Sequence, residues 1–231
     1  MWDNPRLLNA AAGFLVGLAA LAFGAGAAHW LAHSALFPVR TIELRTALNQ
    51  APRADVERTL ASVGRGNFFA APIDELRAAL ERLPWVRRAA VRRAWPDGLE
   101  VSIEEHVALA RWAAGGLVNQ QGERFAGQAE AELPLFSGPA GTEPEVARRY
   151  TRFSQLLAPL GSPIERLTLS ARLAWELRLA NGLELKLGRD ADAAEARLAH
   201  FVASAEASEL APRGATVDLR YPNGFSVRGK G

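Results

Sequence analysis

His29 and His33 are four residues apart, a spacing that puts two imidazoles on one helical face, where they could share a metal ion. They also close a long apolar run beside Trp30, where such side chains serve as residues of a membrane boundary, and we read them so. His106 follows Glu104 and Glu105 and comes nearest to an acid/base group, yet it falls at a strand end, where a solvated or hydrogen-bonded histidine performs no chemistry. Arg88, Arg92, Glu100 and Glu104 share one parity of a hairpin and read as cross-strand surface pairs, with a paired-carboxylate site as the competing reading. The sequence holds no nucleophile elbow, no Walker loop and no His-Glu-x-x-His pattern. Its 0 cysteines remove thiol catalysis, cysteine-ligated zinc and any disulfide framework. Lys+Arg at 27 against Asp+Glu at 25 leaves +2, a near-balance that argues against a nucleic-acid partner. These residues describe a chain that is not an enzyme, with no catalytic residue, cofactor, metal or small-molecule substrate.

The elements that position these residues begin with a membrane-sized segment. The 33 residues between Arg6 and Arg40 contain no Asp, Glu, Lys or Arg. Their apolar heart, Leu7 to Trp30, would make roughly 36 Å of helix against about 30 Å of hydrocarbon, and predicts a transmembrane helix. A cleaved secretory signal is the other reading, because Ala25-Gly26-Ala27 has the form of a cleavage site; against it, the apolar run exceeds a usual signal core. Flanking charge gives no bias, with Arg6 opposed by Asp3 on one side and Arg40 and Arg45 accompanied by Glu43 on the other. Large domains translocate regardless of charge and a cysteine-free chain suits export, so residues 1–6 are expected to be a cytoplasmic tail, 7–36 the membrane helix and its flank, and the remainder periplasmic.

Beyond the helix, Val39 to Leu44 alternates as a first strand. Two short helices follow: Val56, Leu60 and Val63 form one stripe before Gly64, and Ile73, Leu76, Leu80 and Leu83 the next before Pro84. A hairpin with Ala89, Val91, Arg93 and Trp95 on one arm and Leu99, Val101 and Ile103 on the other completes a β-α-α-β-β unit over 37–106. Pairing Trp95 with Leu99 around Pro96-Asp97-Gly98 puts every odd residue on one face, with Gly98 in a left-handed bulge position.

A second α+β domain with an antiparallel sheet is expected over 107–231. Ala108–Trp112, Leu117-Val118-Asn119 and Phe125 read as a meander, and Leu133-Pro134-Leu135-Phe136 runs into a loop. Thr142 with Glu145 forms a capping-box pattern before the stripe Val146, Tyr150, Phe153, Leu157 and Leu160, ended by Gly161. Leu173, Trp175, Leu177 and Leu179 pair with Leu183, Leu185 and Leu187 around a three-residue Ala180-Asn181-Gly182 loop that keeps all seven side chains on one face. Asp190 can cap a helix carrying Leu198, Phe201, Val202 and Ala205. Val217, Leu219 and Tyr221 then reach Pro222-Asn223-Gly224, and Phe225 and Val227 return as a short last strand.

The order of these parts resembles the FtsQ family of bacterial cell-division proteins, and the first unit resembles a POTRA domain. The likeness rests on Phe37-Pro38-Val39, Leu83-Pro84-Trp85-Val86, Trp95-Pro96-Asp97-Gly98-Leu99, Leu117-Val118-Asn119, Leu187-Gly188-Arg189 and Val217-Asp218-Leu219-Arg220-Tyr221. It implies a non-enzymatic inner-membrane divisome protein enriched at the septum, docking after FtsK and binding FtsB and FtsL, and through them FtsW and FtsI. It also implies that FtsB adds a strand at the edge Gly224, Phe225, Ser226, Val227 and Arg228, with Arg172 meeting an acidic FtsB side chain and Arg220 and Tyr221 nearby. Tyr221 could equally be core by its parity, and Arg172 an ordinary solvated residue. Arg88 and Arg92 are a possible surface for an upstream partner, or an edge kept soluble by charge. A periplasmic cell-wall hydrolase and an outer-membrane assembly component are the rival classes. The first needs convergent titratable groups, and the second a barrel that the helical stripes of 143–205 do not provide.

Overall fold

The computed structural model of the chain describes residues 5–63, 66–208, 214–221 and 224–229. Met1–Asn4, the helix stop expected at Gly64, Pro222 and Asn223 of the terminal turn, Lys230 and Gly231 lie outside the described residues, as do the side chains of Val63 and Ala205. The chain forms two compact units, Met1–Glu105 and His106–Gly231.

The first unit opens with α1 (Pro5–His33). Within it Leu8–His33 is long and apolar enough to cross a membrane, with mean hydropathy 1.9. Phe14, Leu15, Val16, Leu21 and Phe23 are exposed, so this helix buries no stripe against the rest of the chain. The elements β1 (Thr41–Leu44), α2 (Arg53–Val63), α3 (Ile73–Leu80), β2 (Val86–Ala94) and β3 (Gly98–Glu105) follow in the expected β-α-α-β-β order. β3 lies between the other two strands, parallel to β1 and antiparallel to β2. Odd residues Ala89, Leu99, Val101 and Ile103 are buried along with Val56 and Leu60 of α2 and Leu76 and Leu80 of α3.

The hairpin register differs from expectation by two residues, which moves the loop by one. Ala94 pairs with Gly98 and Arg93 with Leu99, so the loop is Trp95-Pro96-Asp97, and the Trp95–Pro96 bond is cis. A two-residue shift preserves parity, which is why the buried face is as expected while Trp95 leaves it and stands 84% exposed. Gly98 is not in the left-handed region; its role is close approach, since a Cβ there would sit 3.0 Å from Thr41 Oγ1 and 3.3 Å from the Ala94 carbonyl.

The second unit contains β4 (Ala108–Trp112), β5 (Leu117–Asn119), β6 (Arg124–Phe125), β7 (Leu135–Ser137), α4 (Glu143–Leu157), β8 (Ile164–Leu169), β9 (Trp175–Leu179), β10 (Glu184–Gly188), α5 (Ala191–Ser208), β11 (Thr216–Asp218) and β12 (Ser226–Arg228). The strands form one sheet in the order β12-β11-β10-β9-β8-β7-β4-β5-β6. Its hairpins are antiparallel, as expected, and parallel neighbours join them where the chain has a crossover: α4 carries it from β7 to β8, and α5 from β10 to β11. Phe153 and Leu157 of α4 and Leu198 and Phe201 of α5 are buried with Leu177, Leu185, Leu187 and Val217 of the sheet.

The β9–β10 register matches expectation, with Leu177 opposite Leu185 and the Leu179 N–H bonded to the Leu183 carbonyl at 2.9 Å. Asp190 caps α5 by accepting from the N–H groups of Asp192 (3.1 Å) and Ala193 (3.0 Å). Three details depart from the sequence reading. The Thr142 hydroxyl donates to the Pro139 carbonyl at 2.6 Å and caps nothing, while Glu145 pairs with Arg148 and Arg149. β8 had no clear sequence signal, because a bulge between Ile164 and Arg166 breaks the two-residue period. Leu173 lies outside β9, 55% exposed, with φ 59°.

Candidate functional site

β12 is the outermost strand of the sheet, and Ser226, Val227 and Arg228 are all exposed. The direction of its backbone groups follows from the ladder beneath it. The Glu184 N–H donates to the Ala215 carbonyl and the Leu219 N–H to the Lys186 carbonyl, both at 2.9 Å, so the odd residues of β11 turn their polar groups toward β10. Thr216 and Asp218 therefore turn theirs toward β12, where they stand opposite Arg228 and Ser226. This makes Thr216–Arg228 and Asp218–Ser226 the hydrogen-bonded pairs and Val217–Val227 the non-bonded one. The N–H and C=O of Val227 point outward, away from the sheet. Ser226, which the edge reading would naturally have donate to an added strand, instead faces inward. Phe225, just before the strand, packs edge-on against Phe201 at 5.2 Å and so fixes this side of the strand over the helical layer.

At the end of the sheet where β12 begins lies an open depression of about 570 Å³, lined among others by Arg172, Glu176, Arg189, Asp190, Arg197 and Arg220. Arg172 is exposed at the tip of the β8–β9 turn, which is closed by the Ser170 N–H on the Ala174 carbonyl at 2.9 Å and the Leu173 N–H on the Ser170 carbonyl at 2.8 Å. Among the described residues Arg172 has no ion pair. Arg220 is committed: its Nε lies 2.8 Å from Asp218 Oδ1 and 3.0 Å from Oδ2, and its Nη2 2.5 Å from Oδ2. These hydrogen bonds from Arg220 hold the Asp218 carboxyl below its usual range. The stem of Arg220 crosses Gly188, where a Cβ would lie 3.3 Å from Arg220 Cγ. Tyr221 is 54% exposed, which removes it from the core that its parity allowed.

The structure thus brings Arg172 and Arg220 to one depression and connects it, through Asp218 opposite Ser226, to the β12 edge. Sequence reasoning missed Leu173, beside Arg172, by assigning it to the core face. The signal was available in its flanks, since Ser170 and Ala171 interrupt the alternation just before it.

Arg88 and Arg92 lie on the other unit, on the outer strand β2. Arg92 is opposite Glu100 and donates to it from Nε at 2.5 Å, while Glu100 also accepts from Arg45 Nη2 at 2.7 Å. Arg88 is opposite Glu104, but a bulge at Arg87 lets that neighbour take Glu104 instead, at 2.5 Å. Of the histidines, His29 and His33 stack at 4.2 Å and His106 stacks on Phe125 at 4.1 Å, its Nδ1 accepting from Asn119 Nδ2 at 2.9 Å.

The long apolar helix, the three-stranded domain with two helices, and the larger sheet ending in β12 define a chain of one membrane-sized helix and two α+β domains. The description "POTRA domain, FtsQ-type" matches residues 37–106, and "Cell division protein FtsQ/DivIB, C-terminal" matches 110–220. The chain is 39% identical to the cell division protein FtsQ of Burkholderia pseudomallei over 100% of its own length and 95% of that protein. It is 38% identical to FtsQ of Nitrosospira multiformis over 99% of both chains, and 36% identical to FtsQ of Bordetella pertussis over 98% of this chain and 92% of that one. The chain belongs to the FtsQ family of divisome cell-division proteins, a family of scaffolds.

Proposed function

We propose that this protein joins early and late division proteins at the septum by receiving an extended segment of FtsB on the outer edge of β12, with FtsL alongside, and so helps control septal peptidoglycan synthesis by FtsW and FtsI. The observation that carries this reading is the outward N–H and C=O of Val227 on an exposed outermost strand, the template for strand addition. Arg172, exposed and without an ion pair among the described residues, would meet an acidic side chain of the added segment as it passes the sheet end. Tyr221 and Gly224 flank the start of the edge and are exposed. Binding of the full-length chain to the periplasmic parts of FtsB and FtsL tests this: capture is expected, and no capture of either contradicts it.

Two further parts belong to the same proposal. In this reading the helix crosses the inner membrane with residues 1–6 cytoplasmic and residues 37–231 periplasmic, so a periplasm-active reporter fused after Gly231 should function and the mature chain should keep its helix; a new amino terminus near Ala28 argues for a signal peptide instead. Arg88 and Arg92 on β2 form the surface for an upstream partner such as FtsK. Reversing both should reduce midcell recruitment of a stably folded chain, and normal recruitment removes this part.

A further inference from the structure

Asn67 ties the first unit to the end of its apolar helix. Its side-chain amide donates to the carbonyls of Leu31 at 2.8 Å and Ser34 at 2.7 Å, while its Oδ1 accepts from the N–H groups of Phe69 at 2.8 Å and Ala70 at 3.3 Å. The same loop is strapped from its other side, because Arg93 donates to the carbonyls of Phe68 (2.8 Å), Phe69 (3.0 Å) and Ala71 (3.2 Å). The Val39 N–H bonds to the Gly66 carbonyl at 2.9 Å and the Phe68 N–H to the Phe37 carbonyl at 2.7 Å. The loop 66–71 is therefore held beside the point where α1 ends.

Large apolar side chains stand in the open at this end. Phe69 is 41% exposed and Phe37 36%, their rings edge-on at 5.3 Å, and Leu36 is 70% exposed. The β2–β3 turn joins them, since the Arg40 N–H bonds to the Asp97 carbonyl at 2.8 Å and Thr41 pairs with Gly98; its Trp95 is 84% exposed. The Arg40 side chain is 70% exposed and pairs with the turn itself, its Nε 3.8 Å from Asp97 Oδ2. From His33 to Leu36 is a span of at most about 10 Å of extended chain, little more than a headgroup layer of roughly 5–8 Å.

We propose that this end of the first unit seats in the headgroup layer of the bilayer that α1 crosses, with Trp95, Phe69, Phe37 and Leu36 as its apolar contacts and Arg40 facing lipid phosphates. Aromatic rings favour that layer because it accepts an apolar body beside polar groups, and cations gain there from anionic lipid. The occupant is lipid because the patch is continuous with a helix already fit to span lipid. Seating at two separate loops fixes the orientation of the unit on the membrane, which a single helix joined by a flexible linker would not do. The inference rests on α1 spanning a membrane and is independent of the β12 reading.

The chain has 0 cysteines, so single nitroxide labels are clean. Phe23→Cys, Phe69→Cys, Trp95→Cys and Gln50→Cys variants of the full chain are labelled in phosphatidylcholine vesicles with or without phosphatidylglycerol, and access to oxygen is compared with access to an aqueous nickel chelate. Gln50 is the control at the far end of the unit, where its N–H bonds to Glu105 at 3.0 Å. Labels at 69 and 95 should show nickel access several-fold below that at 50 and oxygen access between those at 50 and 23. Labels at 69 and 95 as aqueous as at 50, with 23 in lipid, overturn the seating, and an aqueous label at 23 overturns the span itself. Shielding at 69 and 95 from both reagents assigns the patch to a protein partner and also overturns it. In the chain with Trp95 intact, brominated lipid should quench a fluorescence component that Trp95→Phe lacks; equal quenching of the two contradicts the proposal.

Discussion

Val217 and Val227 stand directly opposite each other across β11 and β12 without exchanging backbone hydrogen bonds, and this pairing decides which amide of the last strand is free. The outward-facing N–H belongs to Val227, while Ser226 and Arg228 spend theirs on Asp218 and Thr216.

Val227→Pro therefore removes the one outward donor within β12 and should weaken FtsB binding by about tenfold or more, because a buried acceptor on the added strand is left unpaired. Ser226→Pro removes a donor from the β11 ladder and should loosen the edge even without FtsB. Calorimetric titration of both folded variants checks this; unchanged affinity for Val227→Pro contradicts it.

Arg172→Glu should also weaken FtsB binding at least about tenfold, since truncating a desolvated charge pair costs about 2–5 kcal/mol whereas a rim pair costs under about 1 kcal/mol. Arg220→Ala should act less on binding, because its guanidinium is occupied by Asp218. Titration calorimetry with both variants checks this, and equal losses from the two, or none from Arg172→Glu, contradict it.

The fold was readable where side-chain period and turn chemistry agree. Leu177, Leu179, Leu183 and Leu185 fixed the β9–β10 register by parity because Gly182, at φ 86°, supplies the left-handed residue in a three-residue loop. Parity is blind to register shifts of two, so the same reasoning placed the β2–β3 turn one residue late, with the pairing register off by two, and kept Trp95 in the ladder. β11–β12 repeats this: Val217 pairs with Val227, where matching Tyr221 to Phe225 around the turn implied a register two residues later. Arg172 and Tyr221 were located through resemblance, and their shared sheet end became visible only with the strand order, which crossovers through α4 and α5 set and local sequence does not.

Acid should weaken the first unit. Hydrogen bonds from Arg45 and then Arg92 hold the Glu100 carboxyl below its usual range. A carboxyl lowered in the folded state adds stability that is complete above its unfolded pKa and lost as pH falls through the folded value. Glu100→Gln should lower stability at neutral pH and flatten this acid-side decline. Parallel pH profiles for the two chains would count against the network.

Gly122 tests the packing of the β5–β6 turn on α4. It has φ 80°, and a Cβ there would sit 2.3 Å from Pro144 Cα, a backbone atom that cannot move alone. Gly122→Ala should cost more than about 3 kcal/mol, whereas Gly161→Ala, at φ 64° with open space around it, should cost about 1 kcal/mol. Urea unfolding of both variants checks the contrast, and equal costs contradict it.

Addition of a partner strand to the outer edge of β12 would change residue-resolved hydrogen exchange at 226–228 of the full-length chain. In the free protein the Val227 amide should exchange fast while those of Ser226 and Arg228 are partly protected; saturating FtsB should slow Val227 by at least about tenfold, as a newly hydrogen-bonded amide would be. A Val227 amide that exchanges equally fast with FtsB bound contradicts strand addition at this edge.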